Sequence, residues 1–207
     1  MHIDHLVVAA RTLEQGRRAI ERRIGVAMDP GGRHRGHGTH NALLSLGPTT
    51  YLEVIAVDPE AEPTSRPRWH GLDSPEMRAR LEHGPALIHW VVRVPDLSGH
   101  PDARPASRGP HRWTITVPAD RRLSGQGSLP SQITWHTTPV GSLLPDRGVR
   151  LTRFVVTDPA PEAVRSEVDR VEEPPVELRE GPRSLRAVLS TPDGEVSLGG
   201  SPPSWPA

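Results

Sequence analysis

The sequence predicts an α+β protein assembled from repeated units, each of which combines several strands with one helix. The stretch "IDHLVVAARTL" (3–13) aligns without a gap on "LIHWVVRVPDL" (87–97), and the alignment superposes His5 on His89. A weaker third copy begins at "LTRFVVTDPAP" (151–161). Self-similarity of this kind is typical of repeated supersecondary units, and it predicts two full units followed by a degenerate third.

The first unit is predicted as β-α-β-β, and as β-α-β-β-β if the loop at 29–38 carries a short strand. Thr12 is a candidate N-cap, Gln15 completes a capping box with it, and Gly25 ends a helix over 12–24. Apolar, β-branched stretches bounded by Gly, Pro and Asp predict the remaining strands, at 3–10, 39–47 and 50–58.

The second unit lacks a helix after its first strand, because the segment at 98–110 contains too many Pro and Gly residues. A Pro-rich linker (59–86) with a short helix at 75–83 precedes this unit. The polar segment at 167–180 is predicted to be a helix end followed by a solvated loop. Further strands are predicted at 111–118 and 129–138, and a hairpin at 184–200. The predicted organisation is a first module (1–58), the linker (59–86), a second module (87–140), and a C-terminal β-α-β-β extension with a loose tail (141–207).

Composition excludes several classes of protein. The chain has 207 residues, no Cys and a formal net charge of zero, so neither a disulfide scaffold nor a thiolate zinc site is expected. A neutral chain has no electrostatic footprint for nucleic acid. No apolar run approaches the roughly 18 residues of a membrane span, and the N-terminus does not resemble a signal peptide. A cytoplasmic protein that contacts neither nucleic acid nor membrane is the expectation.

Strand alternation places three polar side chains on one face of the first unit. If Leu6 and Val8 face the helix, then Ile3, His5, Val7 and Ala9 face away from it. The same alternation puts Asn41 and Glu53 on the face of His5. A buried Glu close to a His forms either a hydrogen-bonded structural pair or a pair of metal ligands, and the pattern alone leaves both open.

These residues resemble a known superfamily. A β-α-β-β-β unit that opens with "DHLVV", repeats with the His in register and closes with "YLEV" resembles the vicinal oxygen chelate superfamily of glyoxalase I, extradiol dioxygenases and bleomycin-resistance proteins. The stretch at 31–61, which contains "GTHNALLSLG", is similar in particular to bacterial glyoxalase-like domain proteins. The resemblance covers 1–140 as the glyoxalase-like domain, and it implies that paired βαβββ modules form a cupped mixed sheet.

The resemblance also implies a divalent metal in the cup, such as iron, manganese, zinc or nickel. By position, His5, Glu53 and His89 match three ligands, and Glu53 is the expected base if no metal is bound. The fourth ligand falls near Thr134, a poor donor, with Gln132 and His136 as substitutes two residues away. Two His and one carboxylate suit a metal with open positions for substrate.

Other candidates surround this set. Arg33, His34 and Arg35 are candidates for holding a carboxylate or phosphate at the rim of the cup, and Asn41 for orienting a ligand. Trp113 and Trp135 are core residues or an aromatic platform. The sequence leaves two functions open. The first is a metal-dependent lyase, isomerase or dioxygenase that acts on a small molecule with adjacent oxygens. The second is a metal-free protein that binds a drug or metabolite. A scaffold with a decayed site is the third interpretation, and a homodimer is a candidate assembly that the sequence leaves open.

Overall fold

The computed structural model of the chain describes residues 1–34, 36–64 and 67–200. Arg35 and the tail that was predicted to be loose (201–207) lie outside the described residues. Within this described part, no helix is long and apolar enough to cross a membrane.

The chain forms twelve named strands and three α-helices over the described ranges. In chain order they are β1 (His2–Ala9), α1 (Leu13–Ile24), β2 (Asp29–His34), β3 (Thr39–Ser45), β4 (Tyr51–Val57), α2 (Pro75–Leu81), β5 (Ala86–Arg93), β6 (Ala103–Arg108), β7 (His111–Thr116), β8 (Ser131–Trp135), β9 (Arg150–Asp158), α3 (Glu162–Val168), β10 (Val176–Glu180), β11 (Ser184–Thr191) and β12 (Gly194–Gly199).

The first eight strands form one curved mixed sheet in the order β2-β3-β4-β1-β5-β8-β7-β6. Each half repeats one pattern, because the first strand of each module pairs in parallel with the last, β1 with β4 and β5 with β8. The two modules join where β1 pairs antiparallel with β5. The outer edge strands β2 and β6 contact each other, so the sheet curls into a nearly closed cup. The predicted fold class is confirmed.

Helix α1 forms as its capping residues predict. The Thr12 side chain accepts a hydrogen bond from the backbone N–H of Gln15, and Gly25 ends the helix at φ 78°. Ile20 and Ile24 of this helix share one buried cluster with Leu6, Val8, Leu44, Leu52 and Val54 of the sheet. The alternation inferred for these strands is therefore confirmed on the helix side.

The C-terminal unit covers the side of the sheet where the second module has no helix. Its own sheet has the order β10-β9-β11-β12 and packs on β5, with Phe154 against Trp90 at 5.3 Å between ring centroids. Arg153, which occupies the position of His5 and His89 in this third copy, pairs with Glu177 at 3.5 Å on the outer surface. The buried face of the third unit thus takes the place of the missing helix.

Two segments predicted as loops are strands. The loop at 29–38 contains β2, an edge strand, where Pro30 costs little because an edge strand leaves many of its N–H groups unpaired. The segment predicted as a helix end and solvated loop contains β10, so the third unit is β-α-β-β-β. Pairing with β9 stabilises this strand, and its two alternating apolar residues, Val176 and Leu178, pack against the core.

Candidate functional site

The concave side of the eight-stranded sheet encloses a cavity of about 660 Å³, its open mouth included. Its lining combines imidazole and carboxylate groups, indole rings and arginine guanidinium groups. The cavity is lined, among others, by His5, His34, Asn41, Tyr51, Glu53, Trp69, His70, His89, Arg108, Trp113, Arg121, Arg122, Ser131 and Trp135.

A β-bulge places Asp4 beside His5. The pairing of β1 with β5 shifts between Ile3 and His5, so Asp4 is an extra residue with no partner in the register. Asp4 Oδ1 accepts a hydrogen bond from His5 Nδ1 at 2.8 Å. The bulge also turns Ile3 into the cluster beneath α1, so the prediction that Ile3 faces away from the helix is wrong.

Asp4 is a fully buried carboxylate that holds three partners. Besides His5, it accepts hydrogen bonds from Arg93 Nε at 2.9 Å and from Trp135 Nε1 at 2.9 Å. Burial opposes ionisation, but the bonds and charges of His5 and Arg93 hold the pKa of Asp4 below its ordinary value. An ionised Asp4 fixes the proton of neutral His5 on Nδ1 and leaves Nε2 open towards the cavity.

Glu53 belongs to a second network. Asn41 Nδ2 donates to Glu53 Oε1 at 2.6 Å and lies 3.3 Å from His34 Nε2. His34 Nδ1 is 3.0 Å from Thr39 Oγ1. Because Asn41 Nδ2 donates to both Glu53 Oε1 and His34 Nε2, the His34 ring is neutral and carries its proton on Nδ1. This agrees with the pKa of His34, which burial lowers to about 4. One Glu53 oxygen is therefore fixed by Asn41.

The other Glu53 oxygen faces His5. Glu53 Oε2 lies 3.8 Å from His5 Nε2, which is too long for a hydrogen bond and leaves a gap between two potential proton acceptors. Burial raises the pKa of Glu53, but His5, His34 and the Asn41 amide outweigh burial and lower it from its ordinary value. Glu53 is thus a buried carboxylate, ionised at neutral pH, with one oxygen available to a ligand.

The second module repeats this arrangement with a serine in place of the glutamate. Glu53 pairs with Val7, two residues after His5, and Ser131 pairs with Val91, two residues after His89. His89 Nε2 lies 2.9 Å from Ser131 Oγ, and its buried Nδ1 has no hydrogen-bond partner among the described residues. Burial lowers the pKa of His89 well below its ordinary value.

The fourth ligand position therefore falls on Ser131, and the expectation that it lies near Thr134 is wrong. Ser131, Ile133 and Trp135 line the cavity, whereas the Thr134 hydroxyl donates to the carbonyl of Val94 at 3.0 Å. Gln132 and His136 do not line the cavity either.

His70 is a cavity residue that sequence reasoning missed. It comes from the linker, at φ 59°, a left-handed conformation that is uncommon for residues other than Gly. Its ring centroid lies 5.2 Å from that of His89, and burial lowers its pKa to about 4. The only signal in the sequence is a His directly before Gly71, a residue pair that tolerates such a backbone.

The remaining predicted residues divide between the cavity and the rim. Trp113 and Trp135 line the cavity with ring centroids 5.3 Å apart, as an aromatic wall. His34 lies deep in the cavity, not at the rim. Arg33 does not line it, because its guanidinium pairs with Asp58 and Glu60 outside.

The donor set fits a divalent metal in kind but only partly in arrangement. His5 Nε2 and Glu53 Oε2 converge on one gap, and imidazole and carboxylate donors suit several divalent metals. His89, the third expected ligand, directs Nε2 to Ser131 instead. Within residues 1–34, 36–64 and 67–200, no group of three or more His, Asp or Glu side chains is placed to hold a metal ion. The expected three-ligand site is not assembled in this arrangement.

The buried neutral histidines predict a loss of stability in mild acid. In the unfolded chain His34 binds a proton below pH 6.5, whereas the folded pKa is about 4. The unfolded state therefore binds more protons between these values, and stability that is complete above pH 6.5 falls as the pH drops towards 4. At about 1.4 kcal/mol per pKa unit, His34 contributes roughly 3 kcal/mol to this fall.

Urea unfolding at pH 7.5, 6.0 and 5.0 measures this slope. We expect His34→Asn to flatten it, and the same substitution at the exposed His83 to leave it unchanged. Equal slopes in the wild type and in His34→Asn contradict the assignment of a buried neutral ring.

Comparisons with known proteins identify the family and support the fold. The family model described as "Glyoxalase-like domain" matches residues 3–172. No curated protein matches the sequence. A hypothetical protein from Staphylococcus aureus, at 12% identity and a TM-score of 0.54, covers 99% of this chain and 88% of its own, which supports the fold alone.

Two methylmalonyl-CoA epimerases are more distant in structure. The enzyme from Mycobacterium tuberculosis has 17% identity and a TM-score of 0.42, with 69% of this chain and 92% of that chain covered. The enzyme from Streptomyces coelicolor, in complex with 2-nitronate-propionyl-CoA, has 17% identity and a TM-score of 0.44, with 66% and 99% covered. The family match extends over most of the chain, and the chain therefore belongs to the glyoxalase-like domain family of the vicinal oxygen chelate superfamily.

Proposed function

We propose that this protein is an enzyme that moves a proton at a carbon next to a carbonyl group of a small molecule with adjacent oxygens, as an isomerase or lyase does. One observation carries this proposal. Glu53 is a buried, ionised carboxylate whose Oε1 is fixed by Asn41 and whose Oε2 faces the cavity beside His5 Nε2. A positioned carboxylate in a partly closed cavity is suited to general base catalysis.

The proposed step is balanced without an oxidant. Glu53 Oε2 takes the proton from the carbon, and the C–H electron pair forms the double bond of an enolate whose charge rests on the carbonyl oxygen. Protonated Glu53 returns the proton to the same or the neighbouring carbon, which regenerates the carboxylate. His5, when protonated on Nε2, donates to the enolate oxygen, and Asp4 stabilises the imidazolium that this requires.

A deuterium-uptake assay tests this function. Pyruvate, hydroxyacetone and related 2-oxo acids and 2-hydroxy ketones are incubated with the protein in deuterated water, and loss of the C–H signal is followed by proton NMR. We expect uptake above the buffer rate for at least one compound. Uptake by none of them contradicts the proposal and leaves the binding-protein alternative.

A divalent metal has its own test, because His5 and Glu53 supply only two converging donors. When bound there, a metal supplies Lewis-acid polarisation of a carbonyl. We expect zinc, manganese, iron(II) and nickel to shift the melting temperature by less than about 2 °C at one equivalent, and deuterium uptake to survive dialysis against EDTA. Elemental analysis that finds a stoichiometric first-row metal, absent from His5→Ala, would instead establish the metal-dependent enzyme expected from the superfamily.

The second candidate function is metal-free binding of a drug or metabolite, as in bleomycin-resistance proteins. The aromatic wall of Trp113 and Trp135 favours it, since indole rings offer large apolar faces to flat ligands. Saturable ligand binding without deuterium uptake is the result that this candidate predicts.

A further inference from the structure

Arg108 enters the cavity from the opposite edge of the sheet. It is the last residue of β6, and β6 meets β2 where the cup closes. A Cβ atom on Gly32 of β2 would lie 3.0 Å from Arg108 Cδ and 3.4 Å from Cγ. Because Gly32 has no side chain, it leaves room for the aliphatic part of Arg108, and the guanidinium can line the cavity.

Among the described residues, no carboxylate lies within ion-pair distance of Arg108. Its Nη1 donates to Asn41 Oδ1 at 2.8 Å, and the described part of the chain gives it no ion pair. Two other arginines near the cup are paired with carboxylates, Arg93 with Asp4 and Arg33 with Asp58 and Glu60. A neutral side chain such as glutamine can hydrogen-bond to an amide oxygen equally well, so closure of the sheet edges does not explain the charge.

The Asn41 amide connects this guanidinium to Glu53. Its Oδ1 accepts from Arg108 and from the Gly32 N–H at 2.9 Å, while its Nδ2 donates to Glu53 Oε1. A single side-chain amide thus spans the distance between a cation and the candidate base. A ligand that bridges them must carry its negative charge within a few bonds of its reacting carbon.

We propose that Arg108 binds the carboxylate of the substrate, which makes small 2-oxo or 2-hydroxy carboxylates the substrate class. The inference rests on the proposed function and deepens it, because a carboxylate held by Arg108 orients the carbon next to the carbonyl towards Glu53 Oε2. The planar guanidinium matches a carboxylate with two parallel hydrogen bonds, and a partly buried site strengthens such charge-assisted bonds.

Calorimetric titration with three probes tests the site. Pyruvate carries a carboxylate, hydroxyacetone is neutral and of similar size, and inorganic phosphate is a different oxoanion. We expect Arg108→Gln to weaken pyruvate binding by about 10- to 100-fold, the range for a charge-assisted hydrogen bond, and to leave hydroxyacetone binding within about threefold. Arg112→Gln, at an exposed position on β7 that does not line the cavity, is the matched control and should not change either.

Gly32→Ala is the second variant, because it keeps the guanidinium but displaces its stem. It should weaken pyruvate binding and spare hydroxyacetone binding, and melting curves show whether each variant folds. Absence of saturable pyruvate binding to the wild type overturns the proposal, as does equal pyruvate binding by wild type and Arg108→Gln. Phosphate binding tighter than pyruvate binding overturns the choice of a carboxylate.

The two proposals fail separately. Deuterium uptake by hydroxyacetone together with no pyruvate binding leaves the proposed function standing and refutes the carboxylate site. Pyruvate binding that depends on Arg108, together with no deuterium uptake by any probe, keeps the anion site and refutes the proton transfer.

Discussion

Glu53→Gln is expected to lower deuterium uptake by about 10²- to 10⁴-fold, the usual contribution of a general base. The amide oxygen of glutamine can still accept the hydrogen bond from Asn41, so the network around Asn41 is preserved. The substituted side chain can no longer take up a proton. The melting temperature and the Kd of pyruvate should therefore change little while uptake disappears.

Glu60→Gln is the matched control, because Glu60 lies exposed at the rim and pairs with Arg33. It should retain uptake within about twofold of the wild type. If Glu53→Gln retains more than a tenth of the uptake, the base is another group, and His5 becomes the first candidate to test.

Asp4→Asn is expected to cost about 3–5 kcal/mol in the free energy of unfolding, the range for removing one partner of a buried ion pair. The substitution leaves Arg93 without its counter-charge. It also places an amide N–H₂ among the donors of Arg93, His5 and Trp135, so at least one buried donor loses its acceptor.

Urea unfolding of Asp4→Asn and Asp146→Asn makes the comparison. Asp146 also pairs with an arginine, Arg150, but on the exposed surface, where solvent screens the pair and its loss changes stability little. A cost below about 1 kcal/mol for Asp4→Asn contradicts the view that Asp4 organises this side of the cavity.

The shared face of His5, Asn41 and Glu53 was predictable from alternation alone, because β3 and β4 have regular pairing between these positions. The role of Asp4 was not predictable in this way, because the bulge on β1 is defined by the pairing of β1 with β5, some 80 residues later in the chain. Strict alternation puts Asp4 on the opposite face from His5. It likewise puts Ile3 on the cavity side, where the structure does not place it.

Three further site residues could not be predicted from the sequence, because long-range packing and pairing position them. His70 lies in a Pro-rich linker with no period, and only tertiary packing brings its ring to His89. Arg108 reaches Asn41 because two edge strands meet when the cup closes, and such closure has no local signal. The match of Ser131 to Glu53 required the register of β5 with β8, which the gapless alignment of the first strands does not define.

The gap between His5 Nε2 and Glu53 Oε2 is the proposed place of proton transfer, and a crystal structure of the wild-type protein with pyruvate tests this most directly. We expect electron density for the carboxylate at Arg108 and for the carbonyl end of the ligand beside Glu53 Oε2 and His5 Nε2. Pyruvate bound elsewhere, with this 3.8 Å gap unchanged and empty, would contradict it.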